Sequence, residues 1–143
     1  MKDLREKYLQ VRKETVRICA PLAIEDHIPQ PALFVSPPKW HLGHTTWFFE
    51  TFIARKRKDY KPFRDSFAYC FNSYYESLGD RVKREERGHQ SRPLLQEVLD
   101  YRAYVDEYIS EALSSDNEWD ENLISLFEVG LNHEQQHQEL LWY

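Results

Sequence analysis

The chain has 143 residues, 41% hydrophobic, 30% charged and 15% aromatic, with a net charge of −5. That is enough for one core, too aromatic for disorder and too acidic for a nucleic-acid surface. Two cysteines exclude a disulfide scaffold, four glycines argue against a turn-rich β fold, and no apolar run approaches the roughly 18 residues of a membrane span.

The first predicted helix runs from Lys2 to about Cys19, where Leu4, Tyr8, Val11, Thr15 and Ile18 recur at steps of three and four. Its opening, MKDLREKYLQVRKE, is too charged for a signal peptide, so a cytoplasmic protein is expected. Residues 21–35 read as loop. Ser36 is a suitable N-cap, with Pro37 and Pro38 in the first turn of a second helix. That helix is expected to pass through Trp40, His44, Trp47, Phe48 and Phe52 to about Lys58. Residues 59–92 keep no steady period; they hold an aromatic patch from Phe67 to Tyr75 and a basic stretch from Arg81 to Arg92. Pro93 opens a third helix carrying Leu94, Val98, Tyr101, Val105, Ile109 and Leu113, broken by Ser114-Ser115-Asp116-Asn117. The fourth starts near Asp120 and carries Leu123, Leu126, Phe127, Gly130, Leu131, Leu140 and Leu141. The pattern predicts an all-α four-helix bundle over residues 1–143, with a long loop excursion between the second and third helices.

Six histidines carry the functional signal, at 27, 41, 44, 89, 133 and 137. On a helical wheel with Leu123 at zero, His133 falls near −80° and His137 near −40°, on the stripe of Leu126 and Gly130. On the second helix His44 sits within the stripe of Trp40, Trp47, Phe48 and Phe52, and His41 lies about 60° to one side. Three imidazoles in an aromatic core need partners, and one divalent metal serves all three. The competing reading is hydrogen-bonded core histidines. His133-Glu134-Gln135-Gln136-His137 also matches HExxH, but the zinc-protease motif takes its third ligand downstream, and only six residues follow His137 here. A two-histidine, one-carboxylate site using Glu134 is less well aimed. His27 and His89 are expected in solvated loops.

The segment Ser36-Pro37-Pro38-Lys39-Trp40-His41-Leu42-Gly43-His44-Thr45-Thr46-Trp47-Phe48-Phe49-Glu50 resembles the second-helix motif of DinB-like metal-binding bundles. More narrowly, it resembles the N-terminal domain of ergothioneine-biosynthesis sulfoxide synthases (EgtB type). Phe71-Asn72-Ser73-Tyr74-Tyr75-Glu76, Arg87-Gly88-His89-Gln90-Ser91-Arg92-Pro93 and His133-Glu134-Gln135-Gln136-His137-Gln138-Glu139-Leu140 agree in order. The resemblance implies an Fe(II) site on His44, His133 and His137. Glu139, about 200° round the helix from His137, and Glu134 are then expected to support the ligands from behind or to lie at an interface. The implied reaction joins the sulfur of cysteine or γ-glutamylcysteine to the imidazole of hercynine (N-α-trimethylhistidine), as a sulfoxide, using O2. Arg87 and Arg92 are candidate clamps for the thiol's carboxylates, and Tyr74 and Tyr75 candidate contacts for a trimethylammonium. In that family a formylglycine-generating-enzyme-like domain follows the bundle, so the chain is expected to be the first domain of a two-domain enzyme, inactive alone. The alternatives are a stand-alone DinB-like thiol-handling enzyme using Zn or Ni and working as a homodimer, and a structural or interaction bundle.

Overall fold

A computed structural model describes residues 1–73, 79–115 and 119–143. Its helices are α1 (Lys2–Cys19), α2 (Pro38–Phe52), α3 (Ser66–Phe71), α4 (Leu95–Ser114) and α5 (Glu121–Leu140), with short 3-10 turns at Ile24–His27, Ala54–Lys56 and Arg84–His89. No strand occurs among the described residues, and no helix there is long and apolar enough to cross a membrane. The four long helices form a bundle: α1 and α2 each pack against both α4 and α5, and meet each other only lightly across the diagonal.

Local chemistry explains most boundaries. Asp120 caps α5 by accepting a hydrogen bond from the Leu123 amide at 2.7 Å. At the start of α4, Glu97 reaches back to accept from the Leu94 amide at 2.8 Å. The second helix departs from the sequence expectation at both ends. Pro37, not Ser36, is its N-cap, and the Ser36 hydroxyl instead accepts from Arg87 at 2.9 Å. It stops at Phe52 rather than near Lys58; Ile53 leaves helical geometry with φ −116° and the chain tightens into a 3-10 turn. The excursion is not simply loop. It contains α3, whose Phe67 packs edge-on against Tyr101 of α4, with ring centroids 5.0 Å apart. Six residues are too few to show a period, which is why the sequence reads as irregular there. Tyr74 and Tyr75, and Asp116 and Asn117 of the expected helix break, lie outside the described residues.

The core is aromatic at its centre, where Tyr8 meets Phe49 at 5.0 Å and Phe127 at 5.3 Å. Beside it lies a buried ionic cluster that joins all four long helices. Glu134 of α5 has no exposed surface, and it accepts from Arg12 (2.9 Å) and Thr15 (2.6 Å) of α1 and from Arg102 (2.8 Å) of α4. Both arginines also donate to the Thr46 hydroxyl of α2, at 2.8 and 3.3 Å. Burial alone would raise the Glu134 carboxyl, but the two guanidiniums hold it down at about 2. A second buried carboxylate, Glu50, ties the excursion to the bundle by accepting from Tyr60, the Phe63 amide and Tyr101 at 2.6, 3.1 and 2.6 Å.

Gly43 lets α3 approach α2. A Cβ at Gly43 would lie 2.2 Å from the Phe71 ring, which is itself buried. Gly43→Ala should therefore cost about 1–3 kcal/mol through overpacking. A urea midpoint equal to that of the parent protein would show that Phe71 can move aside freely.

Candidate metal centre

Helix α2 is buried on every side from Lys39 to Glu50. It thus presents histidines to two neighbours at once. His44 faces α5, where His133 and His137 sit one turn apart, and one ring nitrogen from each of the three lies within 4.8 Å of the others. Nε2 of His133 is 3.2 Å from Nε2 of His44 and 3.1 Å from Nε2 of His137. His44 stacks between Trp40 (4.4 Å, 14°) and Trp47 (5.6 Å, 15°).

The protons on these rings can be placed from the partners. His44 Nδ1 lies 2.7 Å from the carbonyl oxygen of Phe71, which can only accept, so Nδ1 carries the hydrogen and Nε2 presents a lone pair. One N–H on His133 Nε2 can satisfy only one of its two neighbouring nitrogens. His133 Nδ1 is buried with no hydrogen-bond partner among the described residues. No arrangement of protons among the described residues therefore satisfies all three rings. A divalent cation does what a proton cannot, accepting three converging lone pairs. The 3.1–3.2 Å spacings match neighbouring nitrogens on one ion with bonds of about 2.0–2.1 Å.

Burial, reinforced by the neighbouring rings and by Arg87, pushes protonation of these histidines down: well below the ordinary 6.5 for His44 and His137, and to about 4 for His41. All are neutral at pH 7, the form that binds metal. The unfolded chain takes up protons below pH 6.5 that the folded rings refuse. The stability they confer is thus complete above pH 6.5 and lost as pH falls toward 4. For His41 alone the loss should reach about 3 kcal/mol by pH 4. Urea unfolding of the metal-free protein from pH 7.5 to 4.5 checks this, and a flat profile would contradict it.

The three histidines open onto a cavity of about 460 Å³, also lined by Phe34, Ser73, Arg84, Arg87, Gln136 and Leu140. Arg87 is buried; it donates to Ser36 and Ser73 hydroxyls at 2.9 and 3.1 Å and lies 3.4 Å over the Trp40 ring. Lys39 pins the same segment by donating to the Gln90 carbonyl at 2.6 Å. A larger groove of about 740 Å³, at the other end of α5 between Lys56–Asp59 and Asp120–Leu126, carries no histidine.

Residues 7–141 match the sequence model of the DinB superfamily. The chain belongs to the DinB superfamily. No curated protein matches it. The bundle and the histidine cluster together fit a metal-binding DinB-like fold, whose donor set of three neutral imidazoles suits Fe, Ni and Zn alike.

The other residues singled out by the sequence take the following places around this DinB-like site. Arg92 is exposed and donates to its neighbour Ser91's carbonyl, and Arg84 is the second arginine at the cavity. Glu134 faces the ionic cluster, not the histidines, so it is not a ligand. Glu139 is exposed. His27 is not solvated: the Ile24–His27 turn buries it, with Nδ1 2.8 Å from the Ala23 carbonyl. His89 is exposed at the end of its 3-10 turn. His41 is buried, and its Nδ1 lies 2.7 Å from Nδ1 of His137. The wheel put it to one side because a stripe has meaning only on a helix with a solvent face, which α2 lacks.

Proposed function

We propose that this domain binds Fe(II) through His44, His133 and His137 and serves a sulfoxide synthase of the ergothioneine-forming kind. The thiol would be cysteine or γ-glutamylcysteine and the acceptor hercynine. The observation that carries this reading is the pairing, in one cavity, of three neutral imidazoles with the guanidiniums of Arg84 and Arg87. Among the described residues the site carries no negative charge, so it favours an anionic ligand: a thiolate with a carboxylate within reach of an arginine. Iron, when bound, supplies the redox chemistry by which O2 joins sulfur to carbon. In the overall balance the thiol and the imidazole carbon each lose a hydrogen, one oxygen atom stays on sulfur and the other leaves as water.

The chain's own part is positioning. The Phe71 carbonyl holds the His44 proton at Nδ1 and so aims Nε2 at the site. Arg87, fixed by two hydroxyls and the Trp40 face, presents its charge without losing side-chain freedom on binding. Phe34 and Leu140 add apolar surface to the lining of the cavity. The resemblance further supports a formylglycine-generating-enzyme-like domain as the carrier of the acceptor pocket, and a cytoplasmic setting that keeps the thiol reduced. The second reading, a DinB-like thiol enzyme with Zn or Ni working as a homodimer, draws on the family match itself, which concerns the bundle alone.

Co(II) substitution tests the proposal. Adding γ-glutamylcysteine should produce a thiolate-to-metal absorption band, and Arg87→Met should weaken thiol binding about 10–100-fold. Because this reading puts the acceptor pocket on the second domain, hercynine should change the spectrum only when that domain is present, and such a change supports the synthase over the general thiol enzyme. A spectrum indifferent to thiol would refute both.

A further inference from the structure

We infer that His41 is a positioning residue for the metal centre, a neutral imidazole that fixes the tautomer and aim of His137. The inference rests on the metal-binding reading above and assigns a role to a histidine outside the ligand set.

Each nitrogen of His137 has a distinct neighbour. Nε2 faces the other two ligands, 3.1 Å from His133 Nε2, and Nδ1 is blocked by His41 Nδ1 at 2.7 Å. His137 can therefore bind metal only through Nε2. A neutral ring bound through Nε2 carries its hydrogen on Nδ1, so Nδ1 must donate to His41 and His41 must accept. The His41 hydrogen then sits on Nε2. The Ser36 backbone, in the turn preceding α2, also interacts with the His41 ring. The sequence of groups is Ser36 backbone, His41, His137, metal.

The three ligands thus differ in outer support. His44 donates to a backbone carbonyl directly, and His137 donates to a second imidazole. His133 Nδ1 has no partner among the described residues. Outer acceptors of this kind hold a ring in place and raise its basicity, and losing one costs about 10–100-fold in metal affinity. His41 is suited to the task because it is buried and packs edge-on to Trp40, with centroids 5.7 Å apart. Its acceptor nitrogen cannot swing away.

The test is Zn(II) affinity by chelator competition, with Zn(II) as the probe, on the parent chain and two variants. His41→Phe keeps the ring's bulk and removes the acceptor; it should weaken binding about 10–100-fold. His41→Asn places an amide oxygen near the position of Nδ1, and should restore affinity to within about threefold of the parent, a rescue that a purely structural role would not produce. Nitrogen-15 NMR of the Zn(II)-loaded parent needs no variant: it should show hydrogen on Nδ1 of His137 and on Nε2 of His41. Equal affinity in His41→Phe and the parent, or hydrogen on Nδ1 of His41, would overturn the inference while leaving the metal site standing. A parent chain that binds no Zn(II), Fe(II) or Co(II) would instead remove the site itself.

Discussion

Glu134→Gln should destabilise the protein by about 3–5 kcal/mol, a large share of the 5–15 kcal/mol that holds a typical domain folded. The carboxylate is fully buried and paired with Arg12 and Arg102, themselves only 2% and 3% exposed. Neutralising it leaves two guanidiniums in the core without their counter-charge. Thr46, the Arg12 and Leu42 carbonyls and Asp106 still accept from them, but only Asp106 is charged. Glu139→Gln, on the exposed side of the same helix, should stay within about 0.5 kcal/mol of the parent. Urea unfolding followed by circular dichroism compares the two. A loss below about 1 kcal/mol for Glu134→Gln would mean that water enters the cluster and solvates the arginines. Metal affinity should fall as well, because Glu134 lies between His133 and His137 in sequence and fixes the rotation of α5 about its axis.

Metal should stabilise the fold, and its removal should be visible in the melting temperature. At a free metal concentration a hundredfold above Kd, binding adds about 2.7 kcal/mol, or about 8 °C for a domain of this size. Chelation should reverse that gain. His44→Ala, His133→Ala and His137→Ala should each abolish stoichiometric Fe(II) binding, because two nitrogens with no third leave the ion to water. His27→Ala and His89→Ala should keep full binding. His27 is buried, however, so His27→Ala should lower stability while metal content stays at one per chain. Metal content unchanged across all five variants would return the cluster to hydrogen-bonded core histidines.

The sequence exposed the fold where side chains meet water on one side. The α1 stripe is clear because the opposite face is charged, and Asp120 is readable as a cap because its side chain does the capping. The end of α2 was not readable: aromatic residues persist through Phe52 and Ile53, and the break follows from how the following turn packs. The ionic cluster did leave a trace. On wheels centred on Tyr8, Val98 and Leu123, the residues Arg12, Arg102 and Glu134 fall at about 40°, 40° and 20°, all on apolar stripes. Two cations and an anion on three buried faces are the pattern of an internal salt cluster. The pairing of His44, His133 and His137 was legible from spacing, whereas His41 and Arg84 depend on how loops and neighbouring helices close around them.

The ligands all come from α2 and α5, whose register is locked by buried carboxylates, whereas Ser73, Arg84, Arg87 and Phe34 come from the segments between helices. The molecule therefore separates two inheritances. Binding of the ion belongs to the scaffold and changes only with the core. Most of the cavity's remaining lining belongs to the connecting segments, so exchanging them should alter what the cavity admits without rebuilding the centre beneath it.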